Sequence, residues 1–383
     1  MLTKLIMKNF KSFMEKTEID FNATGYEILN ETNKTENNIL KGALIVGGNA
    51  TGKSTVLEAI RFLLELLVWQ VNLRPLNYVC LFKNSVGRMI LEYEFVINQS
   101  KIEYKIECDS NRIFKENLLV DGKERLSRMK DTAEYTDIQD KKIEINNLQN
   151  NQAGIRKVYF DTKFIDDDVL KSWFDFLENS IYIDQSKKVI YKSVGSASQI
   201  EDYFEKNGTE AFNNFLEKLD YQQYIDYTND YNNGRVRFKF ENDHKAIIVR
   251  RKDMEFGVPL NMESEGNKTL INTVPEILDT MKHNAMIIID EFSSGFHNIL
   301  EEKIIRYFMK NSKHSQLFLV SHSTNLLTNT LLRPDQIYTV DFEKNKGSKI
   351  NRVSDSKPRE AQNLEKMYLS GVFNGIPNTK QES

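Results

Sequence analysis

One short run constrains this chain more than any other: Gly47-Gly48-Asn49-Ala50-Thr51-Gly52-Lys53-Ser54, followed by Thr55, matches GxxxxGK[ST] without a gap. Glycines let the backbone curl so that successive N–H groups face one point, and the N-terminus of the following helix adds its dipole there. Such a loop cradles phosphate, with Lys53 reaching the β- and γ-phosphates and the Ser54 hydroxyl ligating magnesium. The mechanics require a strand before the loop and a helix after it. Leu40 to Val46 is a small, apolar run suited to a buried strand, and Ser54 to Val71 has apolar residues at helical spacing. The fold class expected is therefore α/β, with a P-loop at the end of a core strand.

The 383 residues are enough for two or three structural units on a prior of about 150 residues each. Lys plus Arg number 52 against 55 Asp plus Glu, a net charge of -3, so nucleic-acid binding finds no support in net charge and is left only a local basic groove. Cys80 and Cys108 are too few for a disulfide framework or a four-cysteine metal site, and suit packed thiols in a reducing compartment. Met1 to Phe13 is interrupted by Lys4, Lys8 and Lys11, unlike a secretory signal. The most apolar stretch, Ala59 to Val71, carries Arg61 and Glu65 and falls short of the roughly 18–20 apolar residues of a membrane span. A cytoplasmic protein without membrane contact is expected.

Along the chain, Leu2–Met7 and Glu18–Phe21 read as short strands and Thr24–Asn38 as a polar loop. Arg88–Asn98 and Lys101–Asp109 alternate apolar and charged residues around Gln99-Ser100, which predicts a half-exposed antiparallel hairpin. Lys130–Arg156 is polar and reads as an edge loop or short helix. Asp166–Leu177 and Ser198–Leu219 have helical spacing, the latter opening on a capping box from Ser198 to Glu201 and breaking at Asn207-Gly208. No heptad seam runs long enough for an extended coiled coil. Arg235–Phe240 and Lys245–Arg250 return to strand character. Segments Lys268–Met281, Met286–Ile289, Ile299–Met309, Leu317–Val320, Leu326–Leu331 and Ile337–Val340 then alternate helix and strand, as in a parallel sheet with flanking helices. Pro275 predicts a kink or break in the first of these. The tail is charged, with one apolar cluster, Met367–Ile376.

Three further segments carry candidate chemistry. Met286–Ile289 ends in Asp290-Glu291: the first acid can orient magnesium and the second can polarise an attacking water. Gln316–Val320 ends in Ser321-His322-Ser323, placing His322 at the strand edge where open α/β sheets bind ligands, within reach of a γ-phosphate. Glu263-Ser264-Glu265-Gly266-Asn267-Lys268 opens a helix with short polar residues and glycine, as a second phosphate contact requires.

In this order, the phosphate loop, Ser264–Lys268, Ile287–Glu291 with Ser293-Ser294-Gly295-Phe296-His297, and His322 resemble the Walker A, signature, Walker B, D-loop and switch-histidine elements of ABC-type ATPases of the RecF, SMC and OLD group. The opening Lys8-Asn9-Phe10-Lys11-Ser12-Phe13 looks like that group's first strand and turn. Leu332-Arg333-Pro334-Asp335-Gln336-Ile337-Tyr338 and Asn363–Pro377 are similar to the closing motifs of bacterial abortive-infection ATPases of the RloA or AbiLi type. Three features depart from the pattern: Asn267 stands where threonine is usual, Asn298 replaces a proline, and the stretch between the first helix and the hairpin holds no convincing Q-loop glutamine.

The resemblance implies an ABC-type P-loop ATPase head with a mixed or parallel core sheet, an antiparallel β subdomain and an inserted helical arm. The expected units are residues 1–128, 129–234 and 235–383. ATP and Mg2+ are the implied cofactors. Ser54 and Asp290 are the implied metal ligands, Glu291 and His322 the implied catalytic residues, with Gly47 to Thr55 of one subunit and Ser264 and Gly266 of another enclosing the nucleotide. A homodimer or higher homo-oligomer follows from that sandwich. The implied function is slow ATP hydrolysis by a sensor or regulatory scaffold in multi-protein anti-phage defence, controlling a separately encoded effector, a nuclease or RloB-like protein. The alternative is a RecF-like DNA-repair ATPase. A transporter ATPase fits less well, because the Ser264 segment lacks the usual LSGGQ form. The aromatics Trp173, Phe174, Phe176, Tyr203, Phe204, Phe212 and Phe215 offer either the arm's own core or an exposed docking stripe.

Overall fold

The computed structural model describes residues 1–69, 74–82, 84–85, 87–193, 200–232, 237–239, 245–254 and 257–376. The chain opens with β1 (Leu2–Lys8), β2 (Thr17–Asp20), the one-turn α1 (Asn30–Asn33), β3 (Gly42–Gly47) and α2 (Lys53–Leu67). A strand-rich stretch follows: β4 (Met89–Ile97), β5 (Ser100–Cys108), β6 (Ile113–Val120), β7 (Lys123–Met129), β8 (Thr132–Thr136) and β9 (Lys142–Ile145). Then come α3 (Gly154–Thr162), α4 (Asp168–Glu178), β10 (Ile181–Asp184), β11 (Val189–Tyr191), α5 (Ile200–Asn207) and α6 (Glu210–Lys218). Next are β12 (Gln223–Thr228), β13 (Asp230–Asn232), β14 (Arg237–Lys239), β15 (Ala246–Arg251) and β16 (Gly257–Pro259). The last part holds α7 (Glu265–Lys282), β17 (Met286–Asp290), α8 (Asn298–Asn311), β18 (Gln316–Val320), β19 (Ile337–Glu343), β20 (Gly347–Arg352) and α9 (Leu364–Leu369).

Among the described residues, one sheet has eight strands in the order β2-β1-β4-β5-β6-β7-β8-β9, and a second has seven in the order β11-β10-β17-β18-β3-β19-β20. The first is antiparallel throughout. In the second, β10, β17, β18, β3 and β19 run parallel, and only β11 and β20 oppose them. Because side chains alternate across a strand, the unbroken apolar runs of the parallel strands must bury both faces. Ala43, Ile45, Met286, Ile288, Phe318 and Val320 face one core, shared with α2 and the eight-stranded sheet. Leu44, Val46, Ile287, Ile289, Leu317 and Leu319 face a second core with α7 and α8. Truncating one such residue to alanine costs about 2–5 kcal/mol. The Tyr93 hydroxyl donates to the Ala59 carbonyl at 2.6 Å, tying the antiparallel sheet to α2.

The hairpin at Gln99-Ser100 forms as its alternation predicts, β4 and β5 pairing from Met89–Cys108 to Ile97–Ser100. Other expectations need correction. Residues 130–156 are not an edge loop: β8 and β9 extend the antiparallel sheet. Among its described residues the 129–234 stretch holds four helices as well as β8 to β13; β10 and β11 enter the core sheet and α4 packs into the main core. The aromatic stripe is core. Trp173, Phe174, Phe176, Phe204, Phe212 and Phe215 are buried, and Tyr203 packs against the second core, which leaves no docking face there. Residues 200–219 form two helices broken at Asn207-Gly208, while Ser198 of the capping box lies outside the described residues. α7 runs unbroken through Pro275, since proline removes a single backbone bond and buried Ile271, Val274 and Ile277 hold the helix in place. Leu326–Leu331 holds only a 3-10 turn, Thr324–Leu326, in place of a regular element.

The polar stretch 24–38 is clamped rather than loose. Arg333, fully buried, donates to the Ile28 carbonyl at 2.8 Å and pairs with the equally buried Asp335 at 2.9 Å. Asp335 accepts from the Thr24 N–H at 2.7 Å, and Asn33 donates to Gln336 at 2.7 Å. The Arg333-Pro334-Asp335-Gln336 run is thereby the mould for that loop.

Candidate functional site

Parallel strands bring their C-terminal ends to one edge of the sheet. Register places Asp184 opposite Asp290, Val320 opposite Ile45 and Val340 opposite Gly47. The loops after β3, β10, β17 and β18 therefore converge, as ligand-binding loops do in α/β sheets.

The loop after β3 needs left-handed backbone at Ala50 and Gly52, and α2 starts at Lys53 directly afterwards. At Gly52 a side chain has no room: φ is +106°, and a Cβ would lie 2.3 Å from Ser348 Oγ and 2.6 Å from Ser12 Oγ. Lys53 is buried and donates to the Gly48 carbonyl at 2.7 Å, as does Thr51 at 3.0 Å. Burial lowers the Lys53 pKa, against the opposing pull of Glu291 and Asp290, so the ammonium gains from any anion that arrives. The N–H of the same residue, Gly48, donates to the Gly375 carbonyl at 2.8 Å. Gly375 also accepts from Tyr368, and Thr339 donates to Phe373, so the apolar tail cluster rests on the phosphate loop.

At the head of α2, Ser54 Oγ donates to Asp290 Oδ1 at 2.9 Å. Burial raises the Asp290 pKa, opposed by the hydrogen bonds from Ser54 and Tyr182. A buried carboxylate beside a hydroxyl at a phosphate loop fits a hard divalent cation such as Mg2+, which takes few protein oxygens and fills its remaining positions with phosphate and water. No cluster of three or more His, Cys, Asp or Glu suited to a metal occurs among the described residues. Glu291 follows with φ +56°, in the left-handed region. Its carboxylate lies 3.3 Å from His322 Nε2. The His322 N–H donates to Ser293 Oγ at 3.2 Å, joining the β18 loop to the β17 loop.

Two residues here escaped the sequence. Tyr182, buried on β10, donates to Asp290 Oδ2 at 3.1 Å. Gln185, just past β10, donates its N–H to the Asp290 carbonyl at 3.1 Å and its side-chain amide to Thr273 of α7 at 3.1 Å. A strand-end glutamine therefore does flank Asp290, nearly a hundred residues beyond the stretch between first helix and hairpin where the sequence lacked one. The four-residue run Ile181–Asp184 was the available signal.

Ser264 caps α7, accepting from the Asn267 N–H at 3.4 Å, and is exposed with Glu265 and Gly266. Asn267, the departure from threonine, uses both ends of its amide: it accepts from Tyr221 and donates to buried Glu263, each at 2.7 Å. Ser264, Gly266 and Asn267 line a cleft of about 390 Å³ with Gly295, Phe296 and His297; no residue of 47–55 lines it. The structure thus brings Lys53, Ser54, Asp290, Glu291 and His322 together and leaves Ser264 and Gly266 on a separate opening.

Comparison with known proteins adds the following. The sequence family described as "AAA domain, putative AbiEii toxin, Type IV TA system" matches residues 43–328. The chain is similar to an SMC head bound to the C-terminal winged-helix domain of ScpA, at 16% identity and a TM-score of 0.53, over 91% of this chain and 96% of that one. It is also similar to an SMC head with an extended coiled coil bound to the C-terminal domain of ScpA, derived from Pyrococcus furiosus, at 14% identity and a TM-score of 0.51, over 91% and 95%. The fold is that of the ABC-type ATPase heads found in SMC proteins. No protein of curated function matches the chain. No helix among the described residues is long and apolar enough to cross a membrane.

Proposed function

The chain belongs to this AAA-domain family, and on that premise we propose that it binds MgATP, hydrolyses it slowly, and acts as the sensing half of a two-protein anti-phage system. The observation that carries the chemistry is the meeting of Ser54 with Asp290 at 2.9 Å and of Glu291 with His322 at 3.3 Å beside one phosphate loop. Lys53 turns from the Gly48 carbonyl to the β- and γ-phosphates, and the loop N–H groups hold the same anions. Mg2+, held by Ser54 and Asp290, supplies charge neutralisation at the phosphate oxygens. Glu291 accepts the proton of the attacking water, and His322 orients that carboxylate and reaches the γ-phosphate.

Ser264 and Gly266, on their own cleft, supply the γ-phosphate contacts of a second copy's nucleotide, so ATP closes a homodimer. A nucleotide can shift a conformational equilibrium only by its differential affinity for the two states. Gly48, whose carbonyl accepts from Lys53 and whose N–H donates to Gly375, is where such a difference would reach the tail. The family description, with its toxin and toxin–antitoxin system, supports the defence setting.

The test is direct. Expressed with its neighbouring reading frame, the chain should protect cells from some phage, and protection should vanish with Lys53→Ala. Full protection by this chain alone would remove the effector from the scheme, and equal ATPase rates for wild type and Glu291→Gln would remove the catalytic assignment.

A further inference from the structure

We propose that Tyr182 is a positioning residue for the divalent cation, its hydroxyl holding the Asp290 carboxylate so that Oδ1 faces Ser54. This rests on the MgATP reading above. An aspartate carboxylate rotates in a broad well about its last torsion and needs outer partners to fix its plane. Here the two oxygens are held from opposite sides. Oδ1 accepts from Ser54 Oγ at 2.9 Å and from the Glu291 N–H at 3.1 Å, while Oδ2 accepts from Tyr182 at 3.1 Å. When Ser54 and Oδ1 turn to a cation, the Tyr182 contact is untouched, because it uses the other oxygen.

The hydroxyl is itself fixed. Tyr182 stands on β10 opposite Ile288, two residues before Asp290 on the neighbouring parallel strand, so Tyr182 and Asp290 share a face. The Arg61 guanidinium lies 5.0 Å from the Tyr182 ring centroid and 3.9 Å from that of Tyr191, and Arg61 is paired with Glu65 at 2.7 Å. Tyr191 meets Tyr182 edge-on at 6.0 Å. Arg61 belongs to α2, the helix whose first turn carries Lys53 and Ser54. The helix that presents the phosphate loop therefore also sets the tyrosine that aims the aspartate, and the two halves of the metal site keep one register.

Tyr182→Phe keeps the ring and its Arg61 contact and deletes the one hydrogen bond. Mn2+ titrated into protein holding a non-hydrolysable ATP analogue, and followed by electron paramagnetic resonance, reads metal affinity without turnover. We expect Tyr182→Phe to weaken Mn2+ binding about 10–100-fold, the usual cost of losing an outer partner of a metal ligand. Metal-free binding of the analogue and the metal-free melting temperature should stay close to wild type, and Tyr191→Phe should leave the metal affinity unchanged. In an Asp290→Asn background, Tyr182→Phe should add less than about twofold, because its effect runs through that carboxylate. Wild-type metal affinity in Tyr182→Phe, or an undiminished effect in the Asp290→Asn background, overturns the assignment; a wild-type protein that binds no nucleotide overturns the MgATP reading instead.

Discussion

Two glycines, Gly52 before α2 and Gly266 in the first turn of α7, sit in opposite surroundings. Gly52, in the phosphate loop, is hemmed in by its own chain, with φ +106° and Ser348 and Ser12 where a side chain would go. Gly266, at the start of α7, has nothing within 4 Å of the place its Cβ would take. One glycine is enclosed by its own chain; the other faces open space. On the proposed function, sterics at Gly52 govern folding and nucleotide affinity, while sterics at Gly266 are felt only by a second copy.

Substitutions can break that contrast, beginning with the largest effect. Lys53→Ala should remove nucleotide binding, by a hundredfold or more for a charge-assisted phosphate contact in a buried site, as read by calorimetric titration with ATP. Retained affinity would show that the loop is not the cradle. Glu291→Gln should bind ATP normally and lose about 10²–10⁴-fold in turnover, and light scattering should then show ATP-stabilised dimers. Ser264→Arg should bind ATP as wild type does and lose both the dimer and turnover. A monomeric, ATP-bound protein that still hydrolyses would mean that the outward half plays no part.

The smallest effect sharpens the comparison most. Gly52→Ala should destabilise the apo protein by about 1–3 kcal/mol, the cost of a side chain in a strained backbone region. Gly266→Ala lies in a helix with open space and should stabilise the monomer by up to about 1 kcal/mol. Its turnover should nevertheless fall if the second copy's phosphate needs close backbone approach. Chemical denaturation without nucleotide, paired with ATPase rates, separates the two; equal signs of ΔΔG would end the distinction drawn here.

The inner site was legible because its residues are contiguous in sequence and its strands are apolar on both faces: Gly47–Ser54, Asp290-Glu291 and His322 each follow a recognisable strand. Tyr182 and Gln185 were hidden because β10 has only four residues and is recruited by pairing with β17 rather than by its own pattern. β8 and β9 were hidden for a different reason. Their outward positions carry Glu134, Lys142 and Glu144, so half-exposed strands read as a charged loop. The aromatic stripe left two readings open, since helical spacing of large rings defines a buried face whether it meets a partner or the protein's own core; here Phe215 packs edge-on with Tyr307 of α8 at 4.5 Å.

The seven-stranded sheet also has a history during synthesis. β3 lies between β18 and β19: Leu44 pairs with Leu319 on one side and with Ile337 on the other. Both of its edges therefore wait for residues some 270 positions downstream, roughly 15–55 s at bacterial and eukaryotic elongation rates of about 5–20 residues per second. Strands β4 to β9, which pair in sequence order, can close long before that. Meanwhile Gly42–Gly47, an apolar strand with two open edges, is the kind of segment that pairs with the wrong chain unless something shields it. The Gly47–Ser54 loop is therefore synthesised well before the two strands that hold its own strand in the sheet.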